Sequence, residues 1–198
     1  MTFNSREPNT LHYLTFVTFQ RVPVFISDKI CQFFIESIEE TRSKRPMKLA
    51  AYVIMPDHPH LIVNPLDCDI EVIGKEIKGR SARKTIDWLK ENNYWSSLEK
   101  LRRLVPKKRR HTYSLWQERV KSIDLHSPKF VQQKVRYIHM NPVRAGLCDD
   151  PAKWKWSSYH AYLPHELGEV PIEMDRKWLW TESELAAVRD RGLNDPGN

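Results

Sequence analysis

The chain has 198 residues, 40% hydrophobic and 29% charged, with a net charge of +7. That is enough apolar material for one packed domain with extensions. No apolar run approaches the roughly 20 residues of a membrane helix, the start MTFNSREPNT lacks the basic end and apolar stretch of a secretion signal, and the scattered Cys31, Cys68 and Cys148 exclude a disulfide framework and suit a reducing cytoplasm.

His12 to Gln20, rich in aromatics, Thr and Val, predicts a first strand. Ser27 is placed to cap a helix in which Ile30, Phe34 and Ile38 recur at helical spacing as far as about Arg42. Lys48 to Met55 predicts a second strand, Pro56-Asp57 a turn, and His58 to Val63 a short third strand. A helix follows from about Ile70 to Glu91, with Gly79 loosening its middle; its apolar face is Ile73, Ile77, Ile86 and Leu89. Residues 92–112 read as a loop or basic insertion ending in Lys107-Lys108-Arg109-Arg110-His111. A fourth strand is expected within Tyr113 to Ile123. Ser127-Pro128 then opens a helix that Asn141-Pro142 should end. One more helix is expected from Thr181, with Glu184 as capping-box partner.

This order predicts an α+β fold: a ferredoxin-like, split βαβ antiparallel sheet with helices on one face, plus extra C-terminal helices. Residues 1–163 would form the domain and 164–198 an acidic extension. Residues 75–136 hold 18 Lys and Arg against six Asp and Glu, net +12, whereas 164–198 hold four against eight, net −4. A concentrated basic centre points to a polyanionic partner, nucleic acid first, with a solvated basic surface as the alternative. The acidic extension could cover that basic region and restrain it.

His58 and His60 stand two apart, so on a strand they share a face and can hold one divalent cation. Pro59 between them removes an N–H and suggests an edge or a locally unpaired strand. On the following helix Tyr137 and Asn141 are four apart and share a face, with Gln133 one turn earlier as possible support. A phenol there can act as a nucleophile and an amide oxygen can complete a metal site. The residues alone leave the other reading open: ordinary histidines, a tyrosine packed by its ring, and an asparagine capping the helix. Trp154, Trp156 and Tyr159 could stack bases but read first as core packing.

The segments VIMPDHPHLIV, LWQERV, KVRYIHMNPVRAGL and WKWSSYHAY occur in this order. Together they resemble the REP-associated tyrosine transposases, within the single-tyrosine HUH transposases, over roughly Tyr13 to Tyr162. The resemblance implies His58 and His60 as metal ligands, Tyr137 as nucleophile, Asn141 as the third ligand, and Mg²⁺ or Mn²⁺ as cofactor. It implies cleavage and rejoining of single-stranded, hairpin-flanking DNA through a 5′-phosphotyrosine. Lys75, Lys78, Arg80, Arg83, Lys84, Lys107, Lys108, Arg109 and Arg110 would then hold backbone phosphates. With one tyrosine per chain, a monomer or a homodimer would serve. Two departures from the family pattern stand out: Pro59 replaces the usual large hydrophobe, and the basic insertion lengthens the stretch before Tyr137. The competing expectation is a domesticated, non-catalytic nucleic-acid-binding protein of the same fold.

Overall fold

Strands β1 (Leu11–Thr15), β2 (Met47–Ile54), β3 (Pro59–Pro65) and β4 (Lys121–Leu125) form one antiparallel sheet in the order β2-β3-β1-β4. The structure, a computed structural model, describes residues 10–66, 69–102, 112–162 and 170–175. Lys107, Lys108, Arg109, Arg110 and the expected helix from Thr181 lie outside the described residues. The helices are α1 (Asp28–Lys44), α2 (Ile70–Glu91), α3 (Trp95–Lys100) and α4 (Pro128–Arg144). β1, α1, β2, β3, α2 and β4 reproduce the expected split βαβ order, so the α+β class read from the pattern is the observed one.

Side chains alternate across a strand, and the two alternating sets meet different helices. Leu14, Leu61 and Val63 join Phe34, Ile38, Ile73 and Ile77 in a core under α1 and α2. Tyr13, Ile62, Ala51 and Val53 join Val131, Val135 and Ile138 under α4. The additional helix α4 therefore covers the face that the first two leave open. A register shift between Leu49 and Ala51 lets β2 serve both sets.

The outer edge of β2 is covered by later chain. Ile54 N donates to the Trp156 carbonyl at 2.8 Å, and Tyr52 N donates to Ser158 Oγ at 2.9 Å. Trp154 Nε1 donates to the Ile54 carbonyl at 3.1 Å, and Trp156 is 8% exposed in the larger core. The WKWSSY stretch thus closes a sheet edge that would otherwise pair with another chain. Residues 170–175 extend the cover: Asp175 N donates to the Leu49 carbonyl at 2.9 Å, and Ile172 is buried in the α1/α2 core. The Asp175 carboxylate is engaged by Arg42 and Lys48, so this part of the acidic extension sits on the β2 edge.

Five expectations are corrected. β3 is a central strand, but Pro59 is its first residue, where no ladder N–H is required. The stretch read as loop contains α3, and β4 begins later than expected, at Lys121. Helix α4 runs past Pro142 to Arg144. Pro142 lies in the last turn, and Gly146, at φ 68°, supplies the left-handed cap while Leu147 N reaches the Pro142 carbonyl at 2.9 Å. Finally, α2 runs unbroken through Gly79, where an added Cβ would meet nothing within 4 Å.

Candidate active site

His60 sits at the centre of the sheet. It faces Thr15 on β1 and Val53 on β2 in the strand register and is 4% exposed. Tyr13 and Thr15 are two apart on β1 and point to the same face, so both hydroxyls reach one imidazole nitrogen. His60 Nδ1 lies 2.8 Å from the Tyr13 hydroxyl and 3.0 Å from that of Thr15, whereas Nε2 has only a longer approach, 3.4 Å, to Tyr13. Burial, reinforced by neighbouring His58, pushes the His60 pKa down to about 3. The ring is therefore neutral at physiological pH, the form that binds a cation.

His58 stands just before β3, its ring centre 5.0 Å from that of His60 at an interplanar angle of 84°. Its Nδ1 is hydrogen-bonded to the Asp57 carboxylate. Burial raises the Asp57 carboxyl, but the bonds from His58 and Arg21 outweigh it and hold the group below its ordinary value. Arg21 Nη1 donates to Asp57 Oδ2 at 2.8 Å and Thr18 Oγ1 donates to the Asp57 carbonyl at 2.9 Å. Arg21 reaches Asp57 from a tight loop in which Gln20 (φ 51°) and Arg21 (φ 55°) both occupy the left-handed region, which non-glycine residues rarely do. Strain of this kind persists where surrounding contacts hold it, often next to functional groups.

Tyr137 comes in from α4. Its ring centre lies 5.9 Å from His60 and 6.2 Å from Tyr13, and the side chain is 36% exposed. Asn141, one turn later, is buried, and its Nδ2 has no hydrogen-bond partner. Gln133 is exposed, and the hydrogen bonds to the two histidines come from Tyr13, Thr15 and Asp57 instead. The spacing thus brings His58, His60 and Tyr137 together. Sequence reading missed Tyr13, Thr15, Asp57 and Arg21, and also Lys134 and Arg144. Both of the last two lie over the Tyr137 ring at 5.5 Å. Their signal was present: positions 134, 137, 141 and 144 follow the i, i+3, i+7 pattern of one helix face.

The basic residues expected on α2 lie across the sheet from Tyr137. Arg80 pairs with Glu76 and Glu40, and Lys84 with Glu36 and Glu40, tying α2 to α1. Lys78 donates to the carbonyls of Gln117 and Glu118, and Lys75 meets Glu71 at 3.4 Å. Arg83 is exposed, pairs with no carboxylate among the described residues, and lines a groove of about 700 Å³ between α2 and residues 112–118.

The donor chemistry suits a divalent cation. Each imidazole has Nδ1 held by a neighbour and Nε2 on the other side of the ring, the arrangement by which supporting groups orient metal-binding histidines. Two imidazoles sharing a cation at about 2.1 Å per bond set their ring centres roughly 4.5–5.5 Å apart, which accommodates the observed 5.0 Å. Asn141 Nδ2 is buried without a hydrogen-bond partner, and the oxygen of that amide is the atom that could bind a cation. Among the described residues no three His, Cys, Asp or Glu side chains form a metal cluster. Two imidazoles and an amide would therefore leave positions open for water and substrate oxygen.

The chain belongs to the family described as transposase IS200 like, which it matches over residues 9–141, and that membership makes it a DNA transposition-type enzyme. Members of that family cleave DNA, and metal dependence is general among them. The chain is 24% identical over 159 residues to a Haemophilus influenzae protein described as a REP-associated tyrosine transposase, covering 79% of this chain and 84% of that one. Its fold is similar to a REP-associated tyrosine transposase solved bound to a REP hairpin, with TM-score 0.61, 20% identity, and coverage of 89% of this chain and 93% of that one. No helix among the described residues is long and apolar enough to cross a membrane.

Proposed function

We propose that this protein cuts and rejoins single-stranded DNA beside a hairpin, using Tyr137 as nucleophile and His58, His60 and Asn141 to hold Mg²⁺ or Mn²⁺. The observation that carries this reading is the convergence of Tyr137 on His60, 5.9 Å between ring centres, with His58 5.0 Å further on. A phenol on α4 and two imidazoles at the start of β3, meeting at one partly exposed spot, support this reading; Asn141, one turn beyond Tyr137 on the same helix face, is the third ligand the reading assigns. The hairpin substrate is proposed because the structural relative was solved with one.

In the reaction, the Tyr137 oxygen bonds to phosphorus as the bond to the 3′-oxygen breaks, leaving a 5′-phosphotyrosine and a 3′-hydroxyl. Attack by a 3′-hydroxyl on that phosphotyrosine reverses the step and can join a new strand, because the ester bond energy is conserved. When bound, the cation would draw charge from a non-bridging phosphate oxygen. Tyr13 and Thr15 fix the orientation of the His60 ring, and Arg21 through Asp57 fixes that of His58. Partial exposure of Tyr137 gives DNA access to the phenol.

A labelled single-stranded hairpin oligonucleotide incubated with Mn²⁺ should give a covalent protein–DNA band. The band should disappear in Tyr137→Phe and in the His58→Ala/His60→Ala pair. An undiminished band in Tyr137→Phe would remove the nucleophile from the account. A non-catalytic DNA-binding protein would bind the hairpin and give no band in any variant.

A further inference from the structure

Lys134 lies on α4, one turn before Tyr137. Its ammonium nitrogen sits over three aromatic rings, 5.1 Å from the centre of Tyr13, 5.5 Å from Phe130 and 5.5 Å from Tyr137. It is half-buried, and among the described residues no carboxylate pairs with it and no acceptor takes its N–H groups. The contrast with α2 is direct, since Arg80 and Lys84 each have two glutamates. Ring faces attract an ammonium group and fix its position, but they do not neutralise it. A fixed, unneutralised cation with its donors unspent, next to a nucleophilic phenol, is a site for an oxyanion.

We infer that Lys134 binds a non-bridging oxygen of the phosphodiester that Tyr137 attacks. The inference rests on the role proposed for Tyr137. As the phenol oxygen bonds to phosphorus and the bond to the 3′-oxygen breaks, negative charge builds on the phosphate oxygens. The Lys134 ammonium meets that charge, and the phenol proton passes through solvent to the departing 3′-oxygen. Arg144 also lies over the Tyr137 ring but is exposed. It serves a neighbouring phosphate and so contributes to holding DNA more than to the bond change.

The test uses the full chain, Mn²⁺ and the labelled hairpin oligonucleotide. Lys134→Ala should slow adduct formation at saturating DNA by about 100-fold, the scale of removing one preorganised donor to a reacting oxyanion. Lys134→Arg should recover most of that rate. Binding then identifies the partner of Lys134. In a Tyr137→Phe background, replacing the scissile phosphate by an uncharged methylphosphonate should weaken binding about tenfold. With Lys134→Ala added, the same replacement should change binding less than twofold, because the charge has already lost its partner. A Lys134→Ala rate within threefold of the parent overturns the inference, and so does a methylphosphonate penalty that is equal with and without Lys134. Either result, with the adduct still lost in Tyr137→Phe, leaves the nucleophile intact. An adduct that persists in Tyr137→Phe overturns both.

Discussion

Under α1 and α2 the sheet meets Phe16, Phe34, Ile38, Ile73 and Ile77 in a large apolar core, and outside it Arg80 and Lys84 are matched to glutamates. Under α4 the apolar set is smaller, and polar side chains fill the rest: Tyr13, Thr15 and His60 within the sheet, Tyr137 and Asn141 on the helix. Here Lys134 rests on aromatic rings and not on carboxylates. One sheet thus separates two tasks. Charges satisfied internally hold two helices together on one face, and charges left unsatisfied are available to a ligand on the other. Net charge in the sequence does not distinguish the two kinds of cation, because pairing is decided by helix packing.

If the faces divide stability from chemistry in this way, substitutions on each should register differently. The largest stability effect is expected from Phe34→Ala, whose ring is 0% exposed between α1 and the sheet. It should cost about 3–5 kcal/mol in urea unfolding, while the protein that remains folded binds Mn²⁺ normally. Tyr13→Phe should do the reverse. Removing the hydroxyl that orients His60 should weaken Mn²⁺ binding in calorimetric titration by roughly 10–100-fold, at a stability cost near 1 kcal/mol.

The α4 face should also be the acid-sensitive one. Burial pushes His139 down to about 3 from 6.5, and His60 likewise, so both are neutral in the folded chain. The unfolded chain takes up those protons as pH falls below about 6.5, so stability should decrease from there toward pH 3. His139→Asn should reduce the slope of unfolding free energy against pH by about one proton, measured by urea unfolding at pH 7 and 5. An unchanged slope would mean that His139 is not held neutral. The smallest effect is expected from Lys84→Met. Loss of its contacts to Glu36 and Glu40 should cost about 0.5–1 kcal/mol, with hairpin affinity unchanged. A severalfold fall in affinity would instead show that DNA also wraps the α1/α2 face.

The order of the elements was readable in the sequence, and the division between the faces was not. The alternation and helical periods gave the strand–helix order, and α2 was bounded at Ile70 and Glu91 because its apolar repeat is uninterrupted. The spacing of His58 and His60 and the helix phase of Tyr137 picked out three side chains that do lie together. What escaped depends on partners distant in sequence. Tyr13 and Thr15 reach His60 through the β1–β3 register, a cross-strand relation that no local spacing reveals. Arg80 and Lys84 are spent on glutamates of α1 only because α1 and α2 pack side by side. Trp154 and Trp156 turned out to close an edge and fill the core, which agrees with their apolar bulk. Pro142 was read as a stop, yet the helix continues through it to Arg144, at the cost of the bond its N–H would have donated one turn back.

The central claim is that the α4 face does chemistry through Tyr137. Mass-spectrometric mapping of the protein–DNA adduct, after protease and nuclease digestion, tests it directly. The account predicts a single nucleotide-bearing peptide, modified at the phenol of Tyr137 and dependent on divalent cation. A modification on Tyr13 or any other residue, or no adduct at all with a competent hairpin substrate, would contradict it.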